Sequence, residues 1–163
     1  MLDLLSEVAP TDGVAGNNDP PELVALLGRR KVVEIGGARL GLTHGDLGPG
    51  RTTPQRALRA FADEPDMAAV LFGHSHIPLL ERLPKGGWLM NPGSPTDRRR
   101  QQHYSWGLVT ILEGTIVDAR INLFHKATER ASSSQGIQHV RKIEPGTTSG
   151  RRHLDEKRIR DHE

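Results

Sequence analysis

The 163-residue chain is long enough to bury one core, and its 35% hydrophobic and 4% aromatic content predicts a core of Leu, Val, Ile and Ala. With 22 basic against 20 acidic residues the formal charge is +2, which is not a nucleic-acid signature, and the lack of cysteine excludes disulfides and Cys-ligated zinc. No apolar run reaches the length of a membrane span and no signal-peptide pattern opens the sequence, so a cytoplasmic protein without a membrane partner is expected.

Taken in order, MLDLLSEVAP predicts a helix with Met1, Leu4, Leu5 and Val8 on one apolar stripe. That helix has no N-cap, and its stripe needs cover. GVAG (13–16) predicts a short buried strand. Asp19-Pro20-Pro21-Glu22 predicts a helix start with Asp19 as N-cap, followed by LVALL and a stop at Gly28. KVVEI and ARLGLTHGD flank Gly36-Gly37, a two-residue hairpin turn. Residues 53–63 predict a helix with Ala57, Leu58 and Phe61 on one face, and AAVLF a strand that stops at Gly73. PLLERL and WLMNPGS form a hairpin around PKGG, and GLVTIL and TIVDARINLF another around Glu113-Gly114. Parallel units thus give way to antiparallel ones, which predicts an α/β domain of mixed sheets packed face to face, with helices outside. After about Lys126 the sequence is polar and charged. Residues 1–126 are read as the domain and 127–163 as a disordered tail.

Four polar clusters each follow an apolar strand: GNND (16–19), THGD (43–46), GHSH (73–76) and NPGS (91–94). Sites of open α/β sheets form at carboxyl strand ends, where loops converge. Imidazoles suit Mn, Fe, Zn or Ni, and an Asn carbonyl is an acceptable harder ligand. A turn at Gly73 would let His74 and His76 aim at neighbouring points. Each cluster alone reads more readily as a turn; the four together, in this order, point to metal-dependent phosphoryl chemistry.

In that order the clusters resemble the calcineurin-like metallophosphoesterases, in particular their small bacterial and archaeal phosphodiesterases, over roughly residues 1–124. The resemblance implies a four-layer α/β/β/α sandwich and a dinuclear site, often Mn, sometimes Ni, Fe or Zn. It implies that Asn17, His44 and His74 serve the second metal and His76 the first. Asp19 would orient the site, and Asn18 stands where many relatives carry a histidine general acid. Asn91 to Ser94 would close the floor as a structural loop. The substrate class implied is a phosphate ester, hydrolysed most readily as a diester.

The family pattern opens with Asp-x-His on one strand and Gly-Asp on the next. Neither appears ahead of GNND here, and Asp3, Asp12 and Asp46 stand in other contexts. The reading therefore expects a strand–helix–strand unit of roughly 30 residues or more to be missing, through a start placed too far downstream or, as the alternative, in a genuine fragment or degenerate gene. Without it the chain is expected to be inactive or poorly folded. A retromer subunit of the same fold works as a binding module, which makes a catalytically inactive scaffold the alternative. Arg98-Arg99-Arg100, close behind NPGS, reads as a solvated loop or as a grip on substrate phosphate.

Overall fold

The computed structural model describes residues 2–126; the expected tail, residues 127–163, lies outside the described residues. The elements are α1 (Leu2–Ser6), α2 (Pro21–Leu27), β1 (Arg30–Ile35), β2 (Ala38–Thr43), α3 (Thr53–Arg59), β3 (Ala69–Phe72), β4 (Leu79–Arg82), β5 (Trp88–Asn91), β6 (Tyr104–Leu112) and β7 (Thr115–Phe124).

Five strands form a mixed sheet in the order β1-β2-β3-β5-β4, and β6 and β7 form a second, antiparallel sheet. The three predicted hairpins all form. Gly36 and Gly37 take φ of 55° and 82°, and Glu113 and Gly114 take 47° and 75°. Those positive angles give each two-residue loop the twist that paired strands require. The two tight turns also meet, Gly114 N–H donating to Gly36 C=O at 2.7 Å, which ties the sheets together at one end.

The core lies on both faces of the larger sheet. On one face Leu40, Ala69, Leu80 and Met90 pack against Ile116, Ala119 and Ile121 of β7. On the other, Ala57 and Phe61 from α3 and the turn after it pack against Val70, Phe72 and Leu89. Gly41 permits this approach, because a Cβ there would sit 3.0 Å from the Phe61 ring. The described layers are therefore α3, the five-stranded sheet and the β6–β7 sheet, an α/β architecture with two facing sheets as the sequence predicts.

Three local expectations are corrected. GVAG is not a strand: Ala15 is fully buried, but one backbone bond, Ala15 N–H to Gly28 C=O at 2.8 Å, is too little ladder to make one. Pro20, not Asp19, occupies the N-cap position of α2 and caps nothing through its side chain. The predicted 53–63 helix ends at Arg59 and continues as turns. The stripe of α1 is exposed, with Leu4 at 66%, Leu5 at 52% and Val8 at 86%, so no described residue covers it.

Leu89 is 1% exposed at the centre of the helix-side cluster. Leu89→Ala is expected to destabilise the chain by about 2–5 kcal/mol in urea unfolding, through lost burial and the cavity left behind. A loss within experimental error would show that this face is not the core.

Candidate metal centre

β2 pairs in parallel with β3, and β3 with β5, so the carboxyl ends of all three strands reach one edge. Thr43 lies opposite Phe72, and the next residues extend the pairing, with Gly73 N–H donating to His44 C=O at 3.2 Å. THGD, GHSH and NPGS leave the sheet side by side for that reason. GNND arrives beside them from the segment ahead of α2.

At this edge Asn17 Oδ1, His44 Nε2 and His74 Nδ1 form a nearly equilateral triangle. The sides are 3.0 Å from Asn17 to His44, 3.2 Å from Asn17 to His74 and 3.2 Å between the two histidines. Asn17 Nδ2 donates to Asn18 Oδ1 at 3.1 Å, which turns the Asn17 carbonyl oxygen toward the imidazoles. Whichever tautomers the two rings adopt, their N–H groups cannot bridge all three contacts at once. A cation bound by all three resolves the conflict, since donors about 2.1 Å from one metal stand roughly 3.0–3.4 Å apart. The donor set, two imidazoles and one amide oxygen, suits a divalent transition metal. Burial holds the pKa of His44 below the ordinary histidine value, against the opposing charge of Asp46, so the ring favours the neutral form that ligation needs.

The surrounding residues fix this geometry. Gly16 N–H donates to Asp19 Oδ2 at 2.6 Å, and Asp19 N–H returns to Gly16 C=O at 3.3 Å, which clasps GNND into a tight turn. That is where the Asp19 carboxylate goes instead of capping α2. A Cβ on Gly16 would lie 2.8–3.0 Å from three atoms of the His44 ring, so the ring rests directly on glycine backbone. In GHSH the sharp turn is at His74, not at Gly73. Ser75 N–H donates to Gly73 C=O at 2.7 Å around His74, whose φ is 63°, and His76 follows at 59°. A three-residue turn of this hand is strained for a non-glycine residue and needs outside support. Asn91, with no exposed surface, supplies it. Its Nδ2 donates to Gly73 C=O and to Ser75 Oγ, both at 2.9 Å, and its Oδ1 accepts from Gly93 N–H at 2.9 Å.

His76 is not part of the triangle. Its Nδ1 donates to the Asp97 carbonyl oxygen at 2.5 Å, which can only accept, so the lone pair is left on Nε2. No carboxylate joins the triangle either, and among the described residues no group of three or more His, Asp, Glu or Cys side chains converges. Asp46 pairs instead with Arg29 at 3.0 Å. Arg29 and Arg56, both passed over in the sequence, brace the THGD loop; Arg56 donates to Gly45 C=O at 3.0 Å and Gly50 C=O at 3.2 Å. Arg56 looks like any basic residue on a helix, and nothing local marks it.

A family model for the calcineurin-like phosphoesterase superfamily domain matches residues 1–114. A curated probable metallophosphoesterase from Methanocaldococcus jannaschii is 32% identical over 96 residues, covering 59% of this chain and 47% of the relative. Another from Methanothermobacter thermautotrophicus is 34% identical over 121 residues, covering 74% of this chain and 67% of the relative. The chain therefore spans about half the length of the first and two thirds of the second. Zinc-complexed Vps29 from Entamoeba histolytica has a similar fold, with a TM-score of 0.60 and 23% identity over 77% of this chain and 69% of that one.

Asn91→Ala removes three bonds from the strained turn. It is expected to lower stability by about 1–3 kcal/mol in urea unfolding, with faster amide exchange at Ser75. Unchanged exchange there would show that something other than Asn91 holds GHSH.

Proposed function

The chain belongs to the calcineurin-like phosphoesterase superfamily, and on that premise we propose that it is a metal-dependent phosphodiesterase whose metal is held by Asn17, His44 and His74. The observation that carries this reading is the triangle of one amide oxygen and two imidazole nitrogens, with sides of 3.0–3.2 Å, at the joint end of three strands. When bound, a divalent cation such as Mn, Zn, Fe or Ni would supply Lewis-acid polarisation of a phosphoryl oxygen and a water made nucleophilic at neutral pH. A second metal would draw on His76 through Nε2, the ring nitrogen not bonded to Asp97.

The chain's own residues define what else the site can do. Asp19 holds the GNND backbone in its tight turn and so sets the direction of Asn17. His44 is biased by burial toward the neutral form and rests against Gly16. Asn18 is exposed beside Asn17, and an amide cannot hand a proton to a leaving group near neutral pH. Esters with good leaving groups, or a proton delivered by solvent, fit such a site best.

One observation favours the second reading, a non-catalytic binding module of the same fold. The carboxylates nearest the triangle are committed elsewhere, Asp46 to Arg29 and Asp19 to Gly16. Neither carboxylate joins the triangle, and two cations repel each other strongly unless an anion lies between them.

Calorimetric titration of chelator-stripped protein with Zn and Mn, followed by assay on bis-p-nitrophenyl phosphate, separates the readings. Metal binding and metal-dependent hydrolysis are expected. His74→Ala should weaken binding by at least about tenfold and abolish turnover. Binding without hydrolysis would favour the module, and no binding would overturn the metal site.

A further inference from the structure

The loop that supports GHSH continues into a strongly basic rim. Ser94 Oγ accepts from Thr96 N–H at 3.3 Å and from Asp97 N–H at 3.0 Å, and Asp97 C=O accepts from His76. Arg98, Arg99 and Arg100 follow directly, and Lys126 at the end of β7 closes on the same loop, its Nζ donating to Thr96 C=O at 3.3 Å. Among the described residues this loop and the segment after β7 bring four basic side chains and one carboxylate, Asp97, whereas the entire chain has a net charge of only +2. The imbalance is local and adjoins the candidate centre.

A run of arginines is usually a solvated loop. Two observations set this one apart. First, two of its cations, Arg98 and Lys126, are held by an aromatic ring and backbone carbonyls rather than by carboxylates. The Arg98 guanidinium carbon lies 5.8 Å and Lys126 Nζ 4.7 Å from the centre of the Tyr104 ring, and Arg98 also donates to Gln101 C=O. Among the described residues neither cation has a carboxylate within ion-pair distance. Asp97 is directed to Arg99, 3.9 Å from Nε, and to His76, 3.6 Å from Nδ1. Arg98 and Lys126 are therefore pre-arranged with their charge unneutralised by any described carboxylate, beside an Arg99 that Asp97 pairs. Second, Tyr104 packs on Phe124 at 5.7 Å and carries both cations, which makes it a poor platform for a stacked base. What remains to be recognised is negative charge of phosphate geometry.

We propose that the rim of Arg98, Arg99 and Lys126 is a subsite for a second phosphoryl group of the substrate. The substrate class is then a phosphate ester that carries another phosphoryl group besides the one cleaved. This rests on the phosphoesterase reading, in which the scissile phosphate sits at Asn17, His44 and His74, next to His76 and Asp97.

The test uses the full chain, stripped of metal, because polyphosphates chelate cations. Tripolyphosphate and orthophosphate are titrated calorimetrically in low-salt buffer, where exposed charges are least screened. Tripolyphosphate is expected to bind at least about tenfold more tightly. The double variant Arg98→Glu/Lys126→Glu should erase that preference, and Arg98→Gln/Lys126→Gln should reduce it. Arg59→Glu, an exposed reversal on α3, should leave it unchanged. Equal affinity for the two anions, or equal loss in the Arg59→Glu control, would overturn the subsite. The outcome is independent of hydrolysis. Selective anion binding in a protein that fails the metal titration would sink the phosphoesterase reading alone. Metal-dependent turnover without anion selectivity would sink the subsite alone.

Discussion

The hydrogen bond from Gly73 N–H to His44 C=O, 3.2 Å long, carries the parallel pairing of β2 and β3 one residue past both strands. Everything at the site depends on that extension. It sets His44 and the GHSH turn side by side before either leaves the sheet, and β5 joins the same edge through its parallel pairing with β3. Antiparallel pairing would have sent these loops to opposite ends. The long crossover that the parallel pair β2 and β3 needs is what brings His44 and His74, thirty residues apart, to 3.2 Å of each other.

Support for the site comes mostly from neutral groups. Asn91 is buried and has all three of its polar bonds satisfied by the turns it holds. A buried amide that is fully bonded stabilises and specifies, whereas a half-satisfied one would be destabilising. It offsets the unfavourable backbone of His74 and His76, both at positive φ. Strain of this kind persists only where the surroundings over-determine it, and it concentrates at functional sites. Gly16 contributes by absence, since any side chain there would occupy the space of the His44 ring. On the far side of the NPGS loop the character changes to charge, with Ser94 anchoring the basic rim to the same framework.

The hairpins were legible because their signals are local. Gly36-Gly37 and Glu113-Gly114 between alternating apolar runs permit little else. Errors fell where a local signal met a competing tertiary bond. Asp19-Pro20 has the pattern of a helix cap, but the carboxylate bonds back to Gly16 instead. GVAG has strand composition, yet a strand is defined by its partners, and Ala15 has one backbone bond to Gly28. Glycine invites a turn at position 73, but the angle falls on His74 because Asn91 holds the carbonyl ahead of it.

The sequence by itself determined the family, the α/β class and the four polar clusters at the site, because apolar period and turn chemistry are written in neighbouring residues. Only the tertiary structure decided which donors meet. It joined Asn17, His44 and His74, turned His76 away toward Asp97, and paired Asp46 with Arg29. It also seated Arg98 and Lys126 over Tyr104. Distances between side chains remote in sequence follow from sheet register and packing, and no local pattern encodes them.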